Sequence, residues 1–227
     1  MKLLHVITHE SGWRHPREQI PTWRQMHPEA EIRYWTLGEM APLTQEQGLG
    51  ELYNSMPFLL QRLNLARLLV VHRFGGIYMD ADTECLKPMD DLFKMELVFG
   101  WVNNRVVSNA ILGAAEPGHQ CYAGALEAIS GTDQRIERDT EAIRSSGAEH
   151  FTRFLRESGF ATHALPAAAL YSRAGYTFHH AGRPAWVGKQ YIGGKLHENR
   201  SELAPNPRES SYANHQSNHR KPTADQR

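Results

Sequence analysis

Between residues 58 and 82 the hydrophobic pattern of the chain changes character within a short span. Leu59, Leu63, Ala66 and Val70 recur at steps of three and four, which predicts a helix over 58–72, with Asn54 and Ser55 available as caps and Pro57 tolerable in a first turn. On that helix Asn64, Arg67 and Val71 share a face, so an amide and a guanidinium project together. Gly75 and Gly76 break the pattern, as glycines do where a helix ends or where backbone must approach something closely. Ile77 to Met79 then reads as a short buried strand, with Asp80-Ala81-Asp82 at its exit. If the chain stays extended there, both carboxylates point to one side, and Ala81 adds no bulk between them.

The rest of the chain reads as alternating strands and helices. Residues 3–7 form a compact apolar run suited to a central strand buried on both faces, and the loop after it, with His9 and Trp13, is expected to line a ligand crevice. Residues 21–26 suggest a short helix ended by His27-Pro28, residues 31–35 an alternating strand, and residues 38–50 a loop. A strand is expected over 96–101, a polar turn at Asn103 to Arg105, and a helix opened by Glu116-Pro117-Gly118-His119 and running to about Ile129. Residues 131–144 are charged and weakly patterned, whereas 148–157 form an amphipathic helix with Phe151, Phe154 and Leu155 inward. From residue 202 onward almost nothing can be buried, so the expected division is one α/β domain over 1–201 and a polar, disordered tail over 202–227.

Composition narrows the function. With 25 Lys and Arg against 25 Asp and Glu, the total charge gives no pull toward nucleic acid or an anionic membrane surface. Cys85 and Cys121 are too few for a disulfide framework and are expected to be reduced thiols. The apolar run at the start is too short for a signal peptide, and no stretch approaches the ~20 apolar residues of a spanning helix, which predicts a soluble, cytoplasmic chain without a transmembrane segment. No Gly-x-Gly-x-x-Gly follows the first strand, so dinucleotide cofactors find no support.

The chemistry lies in the acidic pair. Two carboxylates in one small space repel, and a hard divalent cation that keeps open positions for phosphate oxygens relieves that repulsion. Asp-x-Asp alone is more often a turn or a cap. The whole run Arg67-x7-Gly75-Gly76-Ile77-Tyr78-x-Asp80-x-Asp82, however, resembles the signature of retaining sugar transferases of glycosyltransferase family 32. Residues 109–119 resemble a stretch that lines the sugar and acceptor side in that family, and 162–171 resemble its late strand, without the proline that follows it there.

The resemblance implies a GT-A-like, Rossmann-type mixed sheet flanked by helices. It also implies metal-dependent retaining transfer from a nucleotide-diphosphate sugar, a UDP- or GDP-sugar, to a carbohydrate or other hydroxyl acceptor, with Mn²⁺ or Mg²⁺ as cofactor. Asp80 and Asp82 would hold the metal and serve catalysis, with His179, alternatively His197, as a further ligand. Asn64, Arg67, Gly76, Tyr78, Asp80 and Asn109 would contact the donor. Asn64 stands where many members carry Asp, and Arg67 is expected to matter for the donor and little for stability. Two other readings use the same paired-Asp site: a nucleotidyl- or phosphotransferase, and a degenerate transferase that binds nucleotide sugar or glycan without turnover.

Overall fold

The computed structural model describes residues 2–8, 19–179, 189–192 and 195–198. The N-terminal apolar run is strand β1, Leu3–Thr8. It is followed by helix α1 (Ile20–Met26), strand β2 (Glu31–Thr36) and helices α2 (Leu37–Glu46) and α3 (Gly50–Ser55). The long helix α4 (Leu59–Phe74) leads into β3 (Gly76–Met79) and β4 (Thr83–Cys85). Strands β5 (Leu97–Trp101) and β6 (Val107–Ala114) precede helices α5 (Gln120–Ser130), α6 (Ala142–Ser145), α7 (Ala148–Glu157) and α8 (Ala167–Leu170). Strands β7 (Thr177–His179), β8 (Lys189–Ile192) and β9 (Lys195–Glu198) complete the described chain.

The central sheet has the order β2-β1-β3-β6-β5. Strands β1, β2 and β3 run parallel, β6 is antiparallel to β3, and β5 is antiparallel to β6. All strands except β6 therefore end on one side of the sheet, the side on which open α/β sheets build their sites. Side chains alternate between two cores. Leu4, Val6, Ile77, Met79 and Ile111 pack with Trp23 and Met89 on one face; Ile7, Tyr78, Phe99 and Leu112 pack with α4, α5 and α7 on the other. The expected burial of β1 on both faces is found, as is the mixed sheet flanked by helices.

Helix α4 is more deeply enclosed than its periodicity suggests. Every residue from Leu59 to Val71 is buried, including Gln61, Arg62, Asn64 and Arg67. Such polar residues are tolerable inside only when satisfied, and here each is. Gln61 donates to the Gln134 carbonyl at 2.8 Å, and Arg62 donates to the carbonyls of Met56 and Asn54, both at 3.0 Å. These bonds explain how the weakly patterned stretch after α5 is ordered: Gln134 in turn donates to the Ser145 carbonyl at 2.9 Å. Asn54 and Ser55 are not the caps of α4, since they end α3; the Phe58 N–H is met instead by the Gln61 carboxamide at 3.3 Å.

Two expectations need correction. Most of residues 38–50 is helical, because Thr36 and Glu39 form a reciprocal capping box and Leu37 and Met40 bury, which outweighs the hydrogen bond lost at Pro42. The late strand expected within 162–171, over 162–166, is not formed. That stretch holds a single bridge between Leu165 and Gly100, after which Pro166, lacking an N–H, precedes the short α8. Both cysteines are free, as expected, and both are buried. The residues assigned to the tail lie outside the described ones, as do His9 and Trp13.

Candidate active site

The break between α4 and β3 is a packing requirement. Gly75 ends the helix with φ 64°, and its carbonyl accepts from His5 Nε2 at 2.9 Å. Gly76 has φ 73°, and a Cβ there would lie 2.5 Å from the Leu3 carbonyl oxygen. The close approach that this glycine permits is to the β1 backbone, at the end of β3 opposite Asp80, rather than to open space where a donor could lie.

At the other end of β3 the chain turns. The Asp80 N–H still donates to the Ala110 carbonyl of β6 at 2.9 Å, and the Thr83 N–H then donates back to the Asp80 carbonyl at 2.9 Å. The acidic pair therefore sits in a turn and not in extended chain. The reason is that β4 leaves the central sheet to pair with β7, Thr83 facing His179 in the register. Trp23 fixes the turn from below, its indole donating to the Thr83 carbonyl at 2.6 Å. Ala81 is buried and Asp82 is half-buried.

Asp80 is the anchored carboxylate. Its Oδ1 accepts from the Tyr78 hydroxyl at 2.6 Å and lies 3.3 Å from Arg67 Nη1. Arg67 is only 5% exposed, and its guanidinium also donates to the carbonyls of Leu63 at 3.3 Å and Asn109 at 3.0 Å. Burial works against its charge, but the negative charges of Asp80 and, further off, Asp82 outweigh this and leave its pKa raised. Burial pushes the Tyr78 hydroxyl far up as well, so it stays a neutral donor to Asp80. Arg67 is thus part of the fold as much as of the site, contrary to the expectation that stability would be indifferent to it.

A chain of buried amides extends from this pair. Asn109 Nδ2 donates to Asn64 Oδ1 at 3.0 Å, and Asn64 Nδ2 donates to Ser146 Oγ at 3.3 Å. A Cβ on Gly147 would come within 3.0 Å of that same Asn64 nitrogen, so the segment joining α6 to α7 is held against α4 by shape as well as by hydrogen bonds. Asn64 is 2% exposed and its amide is spent on protein partners; the structure places it behind Arg67. Asn109, also buried, is oriented by Asn64 while its carbonyl orients Arg67.

One neighbour was not among the expected site residues. The Tyr171 hydroxyl lies within reach of Ser108 and of the charges of Asp80 and Arg67, and burial raises its pKa. The resemblance at 162–171 does not place it beside Asp80, because it arrives from beyond α8.

Among the described residues no group of three His, Cys, Asp or Glu side chains converges to hold a metal ion. The donor set nonetheless suits a hard cation of the Mg²⁺ or Mn²⁺ kind, which needs only one or two protein carboxylates when diphosphate oxygens and water complete its shell. Asp80 and Asp82 offer oxygen donors where the strands end, and the β4–β7 register sets the His179 backbone across from Thr83, next to Asp82. The side chains of His179 and His197 lie outside the described residues.

Residues 14–99 match the family model described as glycosyltransferase sugar-binding region containing DXD motif, a span that includes the turn just described. Over that span the chain is similar to the DXD-motif glycosyltransferases. It is 28% identical over 96 residues to inositol phosphoceramide mannosyltransferase 3 of Schizosaccharomyces pombe, covering 41% of this chain and 27% of that one. It is 30% identical over 78 residues to inositol phosphoceramide mannosyltransferase 1 of the same organism, covering 32% and 24%. The chain thus spans about a quarter of the length of these curated relatives. A solved structure titled PaToxG Glycosyltransferase superposes with TM-score 0.52 over 69% of each chain at 15% identity, a likeness of fold. Among the described residues no helix is long and apolar enough to cross a membrane.

Proposed function

We propose that the chain transfers a sugar from a nucleotide-diphosphate donor to a hydroxyl acceptor, with retention at the anomeric carbon and with Mn²⁺ or Mg²⁺ as cofactor. The observation that carries this reading is the Asp80–Asp82 turn at the ends of the parallel strands, with one carboxylate locked by Arg67 and Tyr78. When bound, the cation would supply charge neutralisation for the leaving diphosphate. Asp82, and Asp80 beside it, would hold it there. Arg67 orients Asp80, and the Asn64–Asn109 pair keeps Arg67 in place. The relatives' names make mannose the first sugar to test.

The test is hydrolysis of UDP- and GDP-sugars, GDP-mannose among them, with and without Mn²⁺, in the wild type and in Asp82→Asn. Metal-dependent release of nucleoside diphosphate by the wild type alone, with the variant melting at the same temperature, supports the reading. Metal-dependent nucleotide binding that survives Asp82→Asn would remove its centre. Binding without release in the wild type would favour the non-catalytic binder.

A further inference from the structure

On the same side of the sheet as the acidic turn, the 102–106 loop and α7 enclose a cleft of about 340 Å³, lined chiefly by Arg105, Thr152, Arg153, Arg156, Glu149 and Glu157. Its floor is fixed. The Val107 N–H donates to Thr152 Oγ1 at 2.9 Å, and that hydroxyl donates to the Ala148 carbonyl at 2.7 Å.

What sets the cleft apart is how its cations are held. Arg156 donates to the Arg105 carbonyl at 3.0 Å and stands 5.5 Å over the Trp101 ring. Arg153 donates to His150 Nδ1 at 2.8 Å, which assigns the proton of that ring to Nε2. Burial, with the neighbouring Arg153 charge, holds His150 down to about 4, so the ring is neutral. Both guanidiniums are thus positioned by uncharged groups, and neither has an ion-pair partner among the described residues. Glu149 is engaged by Arg144 at 3.2 Å, which leaves Glu157 as the opposing charge in the lining. Guanidiniums fixed in place without carboxylates are prepared for an oxyanion, which several of their N–H groups can bind at once.

The position specifies the role. Along extended β6, Val107 at the cleft floor is about 10 Å from Ala110, whose carbonyl holds the Asp80 N–H. Given sugar transfer at the acidic turn, on which this inference rests, we propose that the cleft binds the phosphate of the acceptor, so that the acceptor is a phosphate ester with its hydroxyl directed toward Asp82. A nucleic acid would call for a broader basic surface than a chain of net charge zero provides.

Calorimetry on the full chain with glucose 6-phosphate, and with glucose as the neutral control, tests this. The wild type is expected to bind the phosphate ester and not glucose, less tightly as salt rises, and R153Q/R156Q at least about tenfold more weakly. Binding of the ester is expected to be the same with and without Mn²⁺, so that failure of the donor site and failure of the cleft are distinguishable. Equal binding of the two sugars, or an unchanged affinity in R153Q/R156Q, overturns the proposal. Should that double variant not fold, Arg105→Gln, a change at an exposed residue, is expected to weaken binding severalfold, and unchanged affinity there overturns it equally. Sedimentation with phosphatidylcholine vesicles, with and without phosphatidylglycerol, identifies the source of the phosphate. Arginine-dependent binding to the anionic vesicles points to a lipid, binding of the soluble ester alone points to a soluble acceptor, and binding of neither overturns the proposal.

Discussion

Asn109 donates its side-chain amide to the Asn64 side-chain carbonyl at 3.0 Å, tying the central helix to the strand beside the acidic turn. Because the amide of Asn64 continues to Ser146, one residue holds α4, β6 and the α6–α7 junction together. Asn64→Ala should therefore destabilise the fold by about 1–3 kcal/mol, the cost of leaving buried polar partners unmet. Urea unfolding measures it. Wild-type stability combined with lost donor affinity would instead give Asn64 a direct part in binding.

Arg67→Lys keeps the charge and loses the fork. A lysine cannot reach the Leu63 and Asn109 carbonyls and Asp80 at once, so stability should drop by about 2–4 kcal/mol, somewhat less than for full removal of a buried partner. Donor affinity of the folded fraction should fall with it. A variant as stable as the wild type would contradict the structural half of this role.

Acid should weaken the fold through His5. This ring is fully buried, accepts from the Trp35 indole at 3.0 Å and donates to the Gly75 carbonyl, so it is neutral; burial lowers its pKa from 6.5 to about 4. A base with a depressed folded pKa leaves the unfolded chain holding more protons below pH 6.5. Stability is therefore complete above 6.5 and declines toward pH 4, by up to about 1.4 kcal/mol per pH unit from this group. His150, lowered to about 4 as well, adds to the slope. Denaturant melts across this range check it, and His5→Gln should flatten the profile.

Gly76→Ala should fail to fold stably. Its positive φ alone costs a side chain roughly 1–2 kcal/mol, and the new Cβ would press on the Leu3 carbonyl. Thermal melting of Gly76→Ala beside Gly118→Ala, whose site is open at a similar φ of 77°, separates the clash from the backbone strain.

Much of this was legible where causes are local. The helical period of 59–70, the glycine stop and the short strand specify α4 and β3 from neighbouring residues alone. The helix at α2 could also have been read, since Thr36 and Glu39 stand at capping-box spacing. The turn at Asp80–Asp82 was not legible, because it is imposed by β7, which lies nearly a hundred residues downstream. Tyr171 comes within the field of Asp80 by the same long return. The burial of Asn64 was not legible for a related reason: its partners Asn109 and Ser146 come from separate elements, and only the assembled core shows that α4 has no free face from Leu59 to Val71.

The two acidic residues differ in what their loss would cost. Asp80 neutralises a guanidinium enclosed by protein, whereas Asp82 stands on a partly open turn. A lineage released from sugar transfer would accordingly shed Asp82 early and keep Asp80 long afterwards, or lose it only together with Arg67. On the function proposed above, a surviving Arg67–Asp80 pair among descendants of this fold would record ancestry, and the residue two places further on would be the one to read for activity.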